Sequence, residues 1–157
     1  MKNYWLVKSE PDSFSLADLR NSPNQTSCWD GVRNYQARNY MRDTMQVGDQ
    51  VFFYHSNCKP PGIVGIAVVA SPAYVDYTAF DPSSEHPDPQ STHENPRWFM
   101  VDVSYVAQFE QMISLDKLKT YPQLHGMQLL RPGNRLSVLP IQTNEWNFIM
   151  GLSNLLP

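Results

Sequence analysis

Three short segments contain the residues whose side chains could form a binding or catalytic site. They run from Lys8 to Pro11, from Cys28 to Arg38 and from Phe52 to Asn57. Between them they supply amine, carboxylate, hydroxyl, indole, amide and guanidinium groups. Such groups build either a pocket for a nucleobase or a site for acid–base chemistry.

The first segment places Lys8, Ser9 and Glu10 directly after a short aromatic and β-branched run that is typical of a buried strand. Binding groups are common where strands end. The alternative is a plain turn, in which the two charged side chains are solvated and Ser9 bonds to neighbouring backbone. This segment alone favours neither interpretation.

The second segment contains the kinds of side chain that form a pocket for a nucleobase. The indole of Trp29 offers a flat face for stacking, and the predicted helix start that follows adds amide, phenol and guanidinium groups. These groups belong to Arg33, Asn34, Tyr35 and Arg38. In the structural alternative Trp29 fills the core, and the two arginines pair with Asp30 and Asp43.

The third segment alternates along a predicted strand, with Phe53 and His55 on one face and Phe52, Tyr54 and Ser56 on the other. One face must join the core, and the other can line a cleft. His55 could serve as a general base, but a histidine among aromatic residues is more often a hydrogen-bonded structural group. No nucleophile can be placed beside it from the sequence.

Several enzyme classes lack their characteristic motifs in this sequence. It has no glycine-rich phosphate loop, no Gly-x-Ser-x-Gly elbow and no His-Glu-x-x-His helix. The two cysteines, Cys28 and Cys58, cannot form a structural zinc site by themselves and are interpreted as reduced thiols. His86 and His93 could bind a cation weakly together with Asp88 and Glu94, but no ordered element is predicted to fix their geometry. A solvated loop is therefore favoured, and we predict no metal site and no cofactor.

The elements that must position these groups are short strands and helices in irregular order. The patterns predict strands at 4–7, 50–55, 63–70, 98–109 and 136–139, and helices at 16–19, 34–45, 114–119 and 143–152. The second and third strands form a hairpin with an extended loop. Because strands and helices do not alternate regularly, we predict an α+β domain whose sheet curls into a partly closed barrel.

The chain has 157 residues, 41% of them hydrophobic, and a formal net charge of −3. These values predict one domain over residues 1–157 and exclude a basic protein that coats nucleic acid. The acidity is concentrated, since residues 74–110 carry one basic and seven acidic groups. Within them the proline-rich stretch 81–96, which we call the acidic loop, is typical of a surface loop.

No apolar run reaches the length of a membrane span, and the first residues lack the apolar core of a signal peptide. We therefore expect a cytoplasmic protein without a membrane partner, and a monomer in the simplest case. Because no basic tract precedes Tyr4, a bacterial cytoplasmic protein is favoured over a nuclear one.

Taken in order, the three segments resemble the EVE domain, a member of the PUA-like superfamily. The likeness runs through Tyr4 to Pro11, Trp29 to Arg38, Phe53 to Asn57, Leu130 to Pro132 and the predicted helix around Trp146. It implies a curved mixed sheet that forms a pseudo-barrel with flanking short helices. It also implies a pocket for a modified base in DNA or RNA. A more distant likeness to YTH domains, which read methylated adenine in RNA, points to the same kind of site.

Together with the residue chemistry, the resemblance predicts which side chains form the site. The predicted base pocket comprises Lys8, Ser9, Glu10, Trp29, Asn34, Tyr35, Tyr54 and Ser56. The predicted phosphate contacts are Arg33, Arg38 and Arg131. Glu10 departs from the YTH pattern, which has a neutral group there, and suits a base edge that donates hydrogen bonds, as the amine of cytosine does. The acidic loop would repel phosphates, so we expect it to face away from the pocket.

The sequence thus predicts a non-catalytic module that binds DNA or RNA carrying a modified cytosine or adenine. One alternative is an enzyme acting on a modified nucleotide or nucleic acid, with Glu10 or His55 as the acid or base. That alternative needs a second catalytic group within reach, and the sequence offers none convincingly. A third possibility is a module that binds a peptide or a small anion.

Overall fold

A curved sheet of six strands forms the centre of the molecule in a computed structural model that describes residues 3–156. The strand order is β2-β7-β4-β3-β1-β8. A second sheet pairs the two short strands β5 and β6. The strands are β1 (Tyr4–Ser9), β2 (Thr26–Cys28), β3 (Gln50–His55), β4 (Gly62–Val69), β5 (Tyr74–Val75), β6 (Phe99–Met100), β7 (Asp102–Ser114) and β8 (Val138–Ile141).

In the part of the chain that the structure describes, four short α-helices flank the sheet: α1 (Leu16–Arg20), α2 (Tyr35–Asn39), α3 (Leu115–Leu118) and α4 (Thr143–Leu152). A stretch of π-helix, Tyr40–Thr44, continues α2. Ser15 caps α1 with a reciprocal pair of hydrogen bonds to Asp18, which fixes where this five-residue helix begins. None of the helices between residues 3 and 156 is long and apolar enough to cross a bilayer.

The sheet is mixed because β1 runs parallel to β3 and antiparallel to β8. The register shifts between β4 and β7 let the long strand β7 bend around the core, and the sheet curls into a half-barrel. The inner strands are buried on both faces, as their continuous apolar runs require; Leu6, Val51, Phe52 and Phe53 have no exposed surface.

The predicted fold class, α+β with a curved mixed sheet and flanking short helices, is confirmed. The hairpin β3–β4 and the helix α4 also lie where the patterns place them. The polar stretch before Trp29, for which the patterns predict no strand, contains one, because residues 26–28 pair with β7 as an edge strand. The predicted strand 98–109 is two strands, separated at Val101, and the second continues to Ser114.

The topology brings the first and third sequence segments together. The parallel pairing of β1 and β3 aligns Ser9 with His55, and the backbone N–H of Ser56 donates to the Ser9 carbonyl at 2.9 Å. On the other side of β1, the Lys8 N–H donates to the carbonyl of Ser137 at 2.9 Å. The carboxyl end of β1 is therefore the point where several chain segments converge.

Candidate functional site

A cavity of about 360 Å³ opens at the carboxyl end of β1. Its lining comes from five parts of the chain, residues 8–10, 13–14, 27–32, 85–86 and 137. We call it the Trp29 cavity. Its volume is near the lower end of the range for small-molecule sites, which suits a guest of a few rings at most.

Trp29 is both part of the core and part of the cavity wall. Its side chain is only 8% exposed, and its ring meets Phe53 edge-on at 5.4 Å and Phe14 at 6.2 Å between ring centroids. Its backbone N–H donates to the carbonyl of Val101 at 2.8 Å. Trp29 therefore fills part of the core, as the structural alternative expects, and the packing that buries most of the indole also holds it beside the cavity.

Two of the polar side chains at the end of β1, those of Ser9 and Glu10, form hydrogen bonds with neighbouring residues. The hydroxyl of Ser9 donates to the carbonyl of Phe14 at 2.6 Å, and the exposed carboxylate of Glu10 accepts from the Asn57 amide at 2.6 Å. Lys8 is half-buried, and this burial lowers the pKa of its amine below the ordinary value. Lys8 and Glu10 therefore both border the cavity, and the Lys8 amine lies 5.8 Å from the ring centroid of Tyr54.

The loop after Trp29 is fixed by a buried carboxylate. Asp76 has no exposed surface and accepts from the Gly31 N–H at 2.8 Å and from the Arg33 guanidinium at 2.9 Å. Burial alone would raise the pKa of Asp76, but the hydrogen bonds from Thr78, Gly31 and Arg33 together outweigh it and bring the pKa below its ordinary value. Asp76 stays charged and organises this wall of the cavity.

The acidic loop does not face away from the cavity, so that expectation is wrong. Glu85 and His86 are part of the lining. The guanidinium of Arg33 donates to the carbonyl of His86 at 2.6 Å, and the ring of His86 lies so close to Gly31 that a Cβ there would be 2.5 Å from it. Gly31 has a φ of +82°, which only glycine adopts readily. Its missing side chain is what admits the acidic loop.

Further along, the acidic loop is anchored by polar and aromatic contacts. The indole N–H of Trp98 donates to the Asp88 carboxylate at 2.6 Å, and Phe80 stacks on His93 at 4.0 Å. The carboxylates of the acidic loop would still repel phosphates. Attachment to Arg33 and Gly31 decides the position of the loop.

The structure brings together four of the eight residues predicted for the base pocket, namely Lys8, Ser9, Glu10 and Trp29. Within the described chain, the other four are outside the cavity lining. The Asn34 side chain caps α2 by accepting from the Ala37 N–H at 3.0 Å, and Tyr35 stacks on Trp98 at 4.8 Å.

Tyr54 and Ser56 lie outside the described lining of the cavity. Alternation along β3 sends Tyr54 to the face opposite Phe53, and it is Phe53 that contacts Trp29. Burial is the main cause that raises the pKa of Tyr54 to about 12. Ser56 follows the end of β3, where its backbone is bonded to Ser9.

The three arginines predicted to meet phosphate differ in availability. Arg33 is bound to Asp76 and His86, and Arg38 donates to the Arg97 carbonyl at 2.7 Å while lying 4.8 Å from the ring centroid of Tyr35. Arg131 is exposed and lines a separate cleft. Arg33 thus attaches its segment to the acidic loop, and Arg38 attaches it to Arg97, the residue that follows the loop.

His55 has a structural partner. Its Nε2 atom accepts from the backbone N–H of Leu16 at 3.2 Å, and burial lowers the pKa of the imidazole, so the neutral form that can accept is favoured. The ring nitrogen that a general base would use is thus occupied at the start of α1. Within residues 3–156, no group of three or more His, Cys, Asp or Glu side chains could hold a metal ion.

Sequence inspection missed several lining residues. Phe14 returns to the cavity after the turn at Pro11, and Ser137 reaches it because β8 pairs with β1. The sequence suggests Asp30 only as an ion-pair partner of a nearby arginine, but it also lines the cavity. Nothing in the local sequence points to His86, which arrives from a distant loop through contacts with Gly31 and Arg33.

Comparison with known proteins agrees with this architecture. The family model described as the EVE domain matches residues 3–152. Thymocyte nuclear protein 1 of Rattus norvegicus is 47% identical, over 100% of this chain and 76% of the rat protein. A crystal structure of a Pseudomonas syringae protein has a TM-score of 0.90 at 46% identity, covering 95% of this chain and 98% of that one.

A further solved relative contains nucleic acid. It is human THYN1 in complex with 5-methylcytosine-containing DNA, with a TM-score of 0.91 at 43% identity, covering 99% of this chain and 100% of that one. The family match spans almost the whole sequence, and the relatives of more than 40% identity are covered over at least two thirds of their length. This chain belongs to the EVE domain family.

Proposed function

We propose that this protein binds nucleic acid and holds one modified base, of the 5-methylcytosine type in DNA, in the Trp29 cavity. The family membership and the human relative crystallised with 5-methylcytosine-containing DNA support the choice of partner. The observation that carries the proposal is the position of Trp29, which is fixed by Phe14 and Phe53 and still borders a cavity of base-like size.

A base in this cavity would gain its affinity mainly from the aromatic wall. Stacking on one aromatic side chain contributes about 1–3 kcal/mol per base. Because Trp29 and Phe14 are already packed, little side-chain freedom is lost on binding. A base inside a duplex would have to leave its stack, which costs a few kcal/mol and is easiest for a single-stranded or weakly paired base.

The polar lining favours an edge that donates as well as accepts. The carboxylates of Glu10 and Asp30 can accept from the exocyclic amine of cytosine, and the amine of Lys8 can donate to a ring or carbonyl acceptor beside it. Thymine carries the same methyl group but has an acceptor where cytosine has the amine. The cavity should therefore prefer 5-methylcytosine over thymine as well as over cytosine, with Val32 and Phe14 available to the methyl group.

We infer that the function is binding rather than catalysis. An enzyme acting on the bound base would need two chemical groups poised at the same atom. Glu10 is held by Asn57, and His55 is bonded to the backbone of Leu16 and lies outside the described lining of the cavity. Prolonged incubation with a 5-methylcytosine oligonucleotide should return it unchanged by mass.

The test is a binding titration with oligonucleotides that differ at one central base: cytosine, 5-methylcytosine, thymine, adenine or N6-methyladenine. DNA and RNA versions, single-stranded and paired, distinguish the partners. Trp29→Phe preserves most of the packing and shrinks the stacking wall, and should raise Kd for 5-methylcytosine about fivefold. Alanine is a poorer choice, since truncating a buried tryptophan costs about 3–5 kcal/mol of stability.

Trp146→Phe is the matched control. Trp146 is also buried, but it stacks on Phe52 at 3.8 Å and is outside the cavity lining described above. This variant should bind like the unaltered protein. Equal Kd values for cytosine and 5-methylcytosine, or a Trp29→Phe variant that keeps the full preference, would overturn the proposal.

A further inference from the structure

We propose that a second cleft, beside the Trp29 cavity, holds the backbone phosphates of the strand whose base is bound. We call it the arginine cleft; its volume is about 390 Å³, and it is lined by Asn34, Gln36, Gln128 and residues 131–136. This inference rests on the proposed function. It assigns the path of the strand outside the cavity.

Among the residues that the structure describes, two arginines in this cleft have no side-chain partner. The chain has seven arginines. Five of them donate to a side chain or to a backbone carbonyl of another residue at 3.2 Å or less: Arg20, Arg33, Arg38, Arg42 and Arg97. Within residues 3–156, Arg131 has only a long contact of 3.5 Å with the Gly126 carbonyl, and Arg135 has no hydrogen bond or ion pair.

The loop that carries these arginines is held in one conformation by hydrogen bonds of its own, before any ligand binds. The amide of Asn134 donates to the Gln128 carbonyl at 2.6 Å, and its oxygen accepts from the Leu136 N–H at 2.9 Å. Leu129 and Leu136 anchor the two ends in the core. The arginine side chains therefore project from a fixed loop, which reduces the ordering cost of binding an anion.

The arginine cleft adjoins the Trp29 cavity along two chain segments. Val32 lines the cavity and Asn34 lines the cleft, and in the same way Ser137 lines the cavity and Leu136 lines the cleft. A strand with one base in the cavity can thus place its neighbouring phosphates in the cleft along these two shared segments.

Charge favours this path over the other side of the cavity. No acidic residue lines the arginine cleft as described above, and guanidinium groups bind phosphate oxygens well. The acidic loop borders the cavity through Glu85, whose side chain is 86% exposed. A phosphate on that side would meet a solvated carboxylate, while one in the cleft would meet two free cations.

The test compares R131A/R135A with the unaltered protein in a titration against the 5-methylcytosine and cytosine oligonucleotides at several salt concentrations. Losing two phosphate contacts should raise both Kd values about tenfold and reduce the slope of log K against log[salt] by about 1.5. The ratio of the two Kd values should not change, since the cleft touches backbone and not the base.

K117A/K119A is the matched control, because it removes the same charge from exposed positions at α3. It should leave both the Kd values and the salt slope near those of the unaltered protein. R131Q/R135Q repeats the charge loss with longer side chains, so that a folding defect in the alanine variant cannot decide the outcome.

The possible failures can be told apart. If the protein prefers 5-methylcytosine but R131A/R135A keeps the original Kd and slope, the cleft is wrong and the proposed function stands. If the variant loses the preference itself, the cleft reads the base, and the inference is overturned. If the protein binds both oligonucleotides equally, the proposed function fails, while a change of slope in the variant would still support a backbone site in the cleft.

Discussion

Residues 29–38 and residues 128–136 both border the sites described above, and both contain arginines, yet they use them differently. In the first region Arg33 and Arg38 join the chain to the acidic loop and to the residues that follow it. In the second region Arg131 and Arg135 project from a loop that Asn134 has already fixed. The same side chain thus joins two parts of the fold where an acceptor lies within its reach, and projects into solvent where none does.

The largest expected effect that separates the two regions is on stability. Arg33→Ala leaves the fully buried carboxylate of Asp76 without its cation, which should cost about 3 kcal/mol of the free energy of unfolding. Arg131→Ala should change that free energy by less than about 0.5 kcal/mol. Urea denaturation of both variants measures the difference. A stable Arg33→Ala variant would contradict the role given to Arg33.

A second comparison uses the glycines of the two regions. Gly31 and Gly133 have nearly the same φ, +82° and +77°, but a Cβ at Gly31 would meet His86 at 2.5 Å, and one at Gly133 would meet nothing within 4 Å. Gly133→Ala should cost about 1 kcal/mol for backbone strain alone, and Gly31→Ala about 2 kcal/mol. Gly31→Ala should also weaken binding of the 5-methylcytosine oligonucleotide, because it displaces the His86 side chain, which lines the Trp29 cavity.

Equal losses of stability in these two variants would show that His86 does not press on Gly31. Unchanged binding by a folded Gly31→Ala variant would show that the His86 side chain is not part of the base site.

The smallest expected effect is on the pH dependence of the free energy of unfolding. The folded-state pKa of Asp76 lies below its ordinary value of 3.8, so its contribution to stability is present above pH 3.8 and is lost as the pH falls below it. Asp76→Asn should remove this part of the acid sensitivity. Unfolding free energies measured between pH 5 and 2.5 for both proteins give the comparison, and identical slopes would count against a charged Asp76.

Much of the fold follows from patterns that are local in sequence. A candidate capping serine, Ser13 or Ser15, before an apolar pair predicts α1, and the structure has Ser15 as the cap. The helical spacing of Trp146 and Ile149 predicts α4. The edge strand β2 was missed because Thr26 and Ser27 are polar and acquire their strand geometry only by pairing with β7. Local propensity carries no information about that partner.

The candidate site likewise combines residues that the local sequence indicates with residues that it does not. Lys8, Ser9, Glu10 and Trp29 were predicted because their chemistry is visible at a strand end and beside a glycine. Asn34 and Tyr35 were expected to face a base, but a helix cap and a stack on Trp98 use them. The place of His86 depends on a contact across more than fifty residues, which no spacing rule describes.

The central claim is that Trp29 contacts the bound base, and an NMR titration of the indole N–H groups tests it directly. The chain has four tryptophans, and the signal of Trp29 is assigned by its absence in the Trp29→Phe variant. Addition of the 5-methylcytosine oligonucleotide should move the Trp29 signal and leave those of Trp5 and Trp146 in the core unchanged. An oligonucleotide that binds without moving the Trp29 signal would contradict the account.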